Sequence, residues 1–242
     1  MTAVSLLGGW VLVPLALVAL CCGAGLLAER AAGVRLPGML VPGVGLATVI
    51  VVAGILAIAD ATAELAAPAV ALVALAGFAL GRPWSDSRLR AAWPWALGLG
   101  AAAFALYAAP SLLSGQGAIA GYEQLDDSAI WLATVDRALE HGRDVAGVPP
   151  SSYARTLAVW LGAGYPVGAF LPLGVTGRIG GQDLANAYQP AIAVMAAIAA
   201  LGMAACVRSL VPSRGWAAAA GLVAVQASLL FGYANWGGMK EV

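Results

Sequence analysis

Residues 121–144 read GYEQLDDSAIWLATVDRALEHGRD, and this run decides how the rest of the chain is taken. It carries six of the twelve carboxylates, Glu123, Asp126, Asp127, Asp136, Glu140 and Asp144, and the one histidine, His141. On either side the sequence is Ala, Leu, Val and Gly in long uncharged stretches. Lipid-buried segments expose polar groups only at high cost, so a membrane protein concentrates reactive side chains in few places. From Asp126 to His141 the pattern is helical. Trp131, Leu132, Val135, Ala138 and Leu139 fall on one face at helical spacing. Asp126, Thr134, Asp136, Arg137, Glu140 and His141 fall on the other, with Ile130 the exception. Gly142 is placed to stop the helix, and a loop follows over 145–152. A short amphipathic helix beside a span is expected to lie in the interface, apolar face toward lipid.

Working outward, the composition is that of a membrane protein: 62% hydrophobic, 10% charged and formally uncharged overall. Zero net charge offers no basic patch for nucleic acid. Apolar runs of the length that crosses a bilayer, roughly 20 residues, occur at 5–28, 39–59, 65–81, 93–113, 186–207 and 216–235. The expected fold class is all-α: a polytopic bundle of six spans with a large outer loop over 114–185. The N-terminus lacks a positive n-region and reads as a retained span rather than a cleaved leader. The three spans within 1–92 carry almost no polar side chains and read as peripheral scaffold, with the core in 93–242.

Orientation follows from arginine. Arg30 and Arg35, then Arg82, Arg88 and Arg90, then Arg208 and Arg214 fall in alternate connections, whereas the Asp60–Glu64 turn is acidic only. The positive-inside rule puts the arginine connections in the cytoplasm and the N-terminus and 114–185 outside. The apolar stretch 157–179 is long enough to span, but five Gly and two Pro weaken it as a helix. Spanning would also reverse the next helix and move Arg208 and Arg214 outside. It is therefore expected to be re-entrant or interfacial, which predicts a cavity beside the polar run. Cys21, Cys22 and Cys206 lie in apolar runs and read as small buried hydrophobes. Eleven of the twelve basic residues are Arg, which with the Ala and Gly content suggests a GC-rich bacterial genome.

Asp126 and Asp127 carry two compatible readings. One is an N-cap and first-turn acid favoured by the helix dipole. The other is a general base, or a cation site, at the membrane surface. Glu123 lies three residues upstream and either shares that site or is solvated. Asp136, Arg137, Glu140 and His141 read as a solvated face. Arg155 and Arg178 are either phosphate clamps or snorkelling anchors. Tyr122, Trp160, Tyr165, Tyr188 and Trp236 fit an aromatic belt at the outer interface, some able to stack on a sugar.

The segment YEQLDDSAIW following span 93–113, with the downstream GYPVGAFLPLG and closing NWGGMKE, resembles the GT-C superfamily of integral-membrane glycosyltransferases, of an actinobacterial kind. The resemblance covers roughly 93–242. It implies a polyprenyl-phosphate sugar as donor and a cell-envelope glycan, lipid or protein as acceptor, in the bacterial plasma membrane. It implies Asp126 or Asp127 as general base in an inverting transfer. Phosphate departure needs cationic help, for which Arg155, Arg178 and Lys240 are candidates, or a divalent cation. Tyr122, Glu123, Tyr165 and Glu241 complete the expected substrate-binding set. Three spans precede the matching part and only six are present, so the chain is expected to be an N-terminal fragment of a longer enzyme. Two rival classes stand beside this one: a transporter or lipid-flipping component, and a non-catalytic scaffold. The spans offer few polar groups for transport, namely Asn186, Gln189, Gln226 and Asn235.

Overall fold

The computed structural model describes residues 7–115 and 126–239, with residues 126 and 127 by their backbone. Every regular element among the described residues is helical. We number them α1 (Gly8–Ala32), α2 (Gly38–Leu56), α3 (Ala66–Gly81, entered by the turn Asp60–Ala63), α4 (Ser87–Leu113), α5 (Asp126–His141), α6 (Ser152–Leu157), α7 (Leu171–Gly180), α8 (Leu184–Val207), α9 (Arg214–Ala224) and α10 (Ser228–Asn235). Five helices are long and apolar enough to cross a membrane: α1, α2, α3 with its entry turn, α4 and α8. The pair α9–α10 adds a sixth only as a span bent by 57°. The expectation of one continuous helix over 216–235 is thus corrected. The chain leaves helical geometry at Gln226–Ala227 without a Pro or Gly to announce it.

Large apolar side chains on the outer faces of the spans, among them Leu15, Val51, Ile55, Leu72, Leu75 and Leu97, are exposed. A surface of that character suits lipid rather than water. The centre is α8, with 67% of its most apolar window buried against 28–44% in the other four. It packs on α4 and α9, and also touches α1, α2 and α7. α1 is not peripheral either. It lies between α2 and α3 and reaches α8, and one continuous core runs from Val13 through Met239.

Lipid offers no hydrophobic drive for two spans to associate, so close backbone approach through small residues carries the packing. At Gly45 a Cβ would collide with the Cys21 carbonyl oxygen, and at Gly77 with that of Gly23. These two glycines let α2 and α3 close on α1. Cys21 is buried in this seam and Cys22 half-buried, but Cys206 is exposed on the outside of α8, against expectation. Its outward position follows from α8's helical phase, which turns Met203 outward as well.

The stretch 157–179 is not one helix. α6 continues through a wide turn, Ala158–Gly162, then the chain opens over residues 163–167. Gly164 adopts φ 86°, a left-handed conformation that glycine accepts without strain. The chain re-enters helix at Gly168–Phe170 and α7, whose Leu171–Thr176 are buried among α1, α2, α3 and α8.

The bundle has two unlike ends. One gathers Arg30, Arg35, Arg82, Arg88, Arg90, Arg208 and Arg214 at helix termini, tied by Arg88 to Glu29 at 2.8 Å and to Asp86 at 3.1 Å. The other carries α5, the Asp60–Ala63 turn and the start of α8. Gly45→Val should lower the unfolding midpoint in detergent by the equivalent of about 1–3 kcal/mol or abolish folding. Gly54→Val, where a Cβ meets open space, should leave it unchanged.

Candidate functional site

α5 is where the polar run takes shape, and its bounds coincide with those read from periodicity. Gly142 ends it at φ 60°, with its amide bonded to the Ala138 carbonyl and no room for a Cβ against the Ala59 backbone. The apolar face is turned onto the protein instead of onto lipid. Trp131, Val135, Ala138 and Leu139 are all at most 2% exposed. Trp131 stacks on Phe170 at 4.4 Å and on Tyr165 at 5.3 Å, with Trp160 edge-on at 5.3 Å. Gly174 of α7 admits the side chains of Val135 and Leu139. The expectation of an apolar face on lipid fails because α6 and α7 of the same chain supply the covering surface. Thr134, read as part of the polar face, is fully buried, its hydroxyl turned back to the carbonyls of Ile130 (2.9 Å) and Trp131 (3.1 Å).

The far end of α5 is fastened by charged side chains to backbone carbonyls. Arg143 donates to the Leu161 carbonyl at 3.3 Å and the Tyr165 carbonyl at 3.2 Å, both at the opening between α6 and α7. Arg178 donates to the Leu139 carbonyl at 3.1 Å, where the helix dipole favours a cation. Its other Nη lies 3.6 Å from Glu140. His141 Nδ1 is 2.8 Å from an Asp60 carboxylate oxygen, and the Arg143 amide donates to the Ile58 carbonyl at 3.3 Å. His141 is therefore tied to the Asp60 turn, while Asp136 and Glu140 stay exposed, as expected of a solvated face. Arg137 likewise donates to the carbonyls of Asp144 and Ala146.

A pocket of about 400 Å³ lies beside this face, lined by Leu132, Asp136, Arg178, Gln182, Asp183 and Leu184 among others. Burial, then the Glu140 carboxylate, and also that of Asp183, raise the Asp136 carboxyl above its ordinary range, against the pull of Arg178. Asp183 caps α8 by accepting the Ala185 amide at 2.8 Å. Asp183 and Gln182 escaped notice in the sequence because a lone Asp before an apolar run reads only as a helix start.

The expected residues divide by location. Asp126 and Asp127 form the first turn of α5. Tyr122, Glu123, Lys240 and Glu241 lie outside the described residues. Arg155 is exposed on α6, Tyr165 stands in the Trp131 cluster, and Arg178 bridges α5 and the pocket. The aromatic belt is corrected in part, since Trp236 is exposed as a belt residue would be and Trp160, Tyr165 and Tyr188 are not. Tyr188 is fully buried and its hydroxyl donates to the Gly237 carbonyl at 2.5 Å, while Trp160 and Tyr165 pack around Trp131. The most exposed tryptophans, Trp84, Trp93 and Trp216, are at the arginine end. Aromatic type alone does not tell a core residue from an interfacial one.

Beside Asp127, Ser128 turns inward. Its hydroxyl is buried without a hydrogen-bond partner, against Gly237. Gln189, next to Tyr188 on α8, is 1% exposed with both amide atoms unpartnered. A second set lies where α9 breaks. Tyr107 donates to the Val225 carbonyl, and the adjacent Gln226 Nε2 and the Ser111 hydroxyl one turn on are buried and unpartnered. Such orphans each cost about 1–3 kcal/mol unless a ligand or water meets them. Among the described residues no group of three or more His, Cys, Asp or Glu is placed to hold a metal ion. Comparison with known proteins found no matching family model, curated protein or solved structure.

Trp131→Ala should cost about 3–5 kcal/mol and detach α5 from α7, read as a lower melting temperature and faster proteolysis of the 145–165 segment. The raised Asp136 carboxyl favours the fold while protonated, and that contribution is lost as pH rises through its folded-state value. Asp136→Asn should therefore raise the melting temperature near neutral pH, with the gain vanishing below about pH 4, the ordinary Asp range.

Proposed function

We propose that the chain is part of a membrane glycosyltransferase that moves a sugar from a polyprenyl phosphate to a cell-envelope acceptor. The observation that carries this reading is where α5 begins. Asp126 and Asp127 open a helix fastened onto the bundle, next to Ser128, whose buried hydroxyl has no hydrogen-bond partner, and α8 carries a second unpartnered buried group in the Gln189 amide. An acceptor hydroxyl deprotonated by one of the two carboxylates attacks the anomeric carbon. The bond from that carbon to the phosphate oxygen breaks, with inversion, and polyprenyl phosphate leaves with the bonding pair. Arg155 and Arg178, or a divalent cation, would meet the phosphate charge. Arg178 lines the pocket beside α5, but its guanidinium is held at the Leu139 end of that helix, about 18 Å along the axis from Asp127. The arginine-rich end then faces the cytoplasm of a bacterial plasma membrane, and α5 lies outside.

One observation favours a second reading, a transporter or lipid-flipping component. The break between α9 and α10, with Gln226 beside it, is the kind of interrupted helix from which transport sites are built. The two readings separate in proteoliposomes holding the full-length protein, radiolabelled decaprenyl-phosphate sugars and envelope extract. The transferase reading expects transfer by the wild type and a loss of about 100-fold or more in Asp126→Asn/Asp127→Asn, with normal insertion and melting. Equal transfer by the double variant overturns it. Loss of lipid translocation in Gln226→Leu, with the Asp pair dispensable, selects the second reading. No effect in either assay leaves a scaffold.

A further inference from the structure

The arginine end holds a pocket that the transfer reaction does not use. The start of α2, the first turns of α4, the last turn of α8 and the start of α9 enclose a cleft of about 410 Å³. Met39, Ala92, Trp95 and Ala204 are among its apolar walls, and Arg88, Arg208 and Arg214 supply its charge. None of its lining residues is acidic.

The three arginines are not equivalent. Arg88 is neutralised by Glu29 and Asp86 and holds α1 against α4. Arg208 donates to the Val211 carbonyl at 2.9 Å and Arg214 to the Ala91 carbonyl at 3.4 Å. Those partners are uncharged, and among the described residues neither guanidinium has a carboxylate within ion-pair distance. Each guanidinium has five N–H donors, so two positive charges with donors to spare face one cleft. Exposed Trp84, Trp93 and Trp216 at the same end mark the headgroup level. From Arg88 to Trp95 the wall descends about 10 Å along α4, into the acyl region.

We propose that this cleft binds one anionic glycerophospholipid, its phosphate between Arg208 and Arg214 and an acyl chain along Trp95 and the alanine wall. The phosphate suits the guanidinium pair. The apolar depth has no use for a soluble anion, and a zwitterionic headgroup would bring a cation to the same rim.

Native mass spectrometry of the full-length protein released from nanodiscs tests this with equal phosphatidylglycerol and phosphatidylcholine. Wild type should retain one phosphatidylglycerol in preference, and Arg208→Gln/Arg214→Gln should weaken that retention about tenfold. Both side chains are exposed, so the double variant should melt as the delipidated wild type does. Ala92→Trp, which fills the wall and spares the arginines, should block retention too. Equal retention of both lipids, an undiminished signal in the double arginine variant, or displacement by millimolar inorganic phosphate would overturn the proposal.

Discussion

The structure depends on donors that reach interrupted backbone. A helix broken inside an apolar bundle leaves carbonyls that water cannot meet, and each unmet group is expensive. Here long side chains meet them. Arg143 serves Leu161 and Tyr165 at the opening before α7, Tyr107 serves Val225 at the α9 break, and Tyr188 serves Gly237 beyond α10. Arg178 serves the last turn of α5. Without these donors the short helices would keep their apolar contacts but leave buried carbonyls unmet.

This dependence explains why α5, α6 and α7 form one unit. Trp131 supplies dispersion and aromatic contact at the centre of the unit, and the two arginines supply directional bonds at its edge. α7 in turn is buried among four spans, so the surface helix is anchored through it to the middle of the bundle. Asp126 and Asp127 thus open a helix that is packed onto the bundle along its apolar face.

Much of this was legible in the sequence, and the failures have physical causes. α5 was read to the residue because its period is unambiguous and Gly142 closes it. The spans were found with ragged ends. α4 begins at Ser87 rather than 93, since Asp86 caps a first turn whose arginines had looked like a connection. Gly164 and Pro166 warned of the opening before α7. Nothing comparable marked Gln226–Ala227, where tertiary contact with Tyr107 stands in for a helical bond. Burial of Tyr188 and Thr134 was illegible because their partners are backbone carbonyls, which every sequence offers everywhere. At the candidate site the acidic pair stood out as charge and Gln189 as a polar residue within a span, while Ser128 and Asp183 carried no signal apart from the fold.

The unlike ends of the bundle have an electrical consequence. Seven arginines at one end, facing a mixture of carboxylates and arginines at the other, make the molecule a dipole along its long axis. A membrane voltage negative on the arginine side lowers the energy of that arrangement, and inverting it would drag several guanidinium groups against the field. A voltage of that sign would act on the orientation most effectively while the chain is being inserted and its helices can still choose a direction.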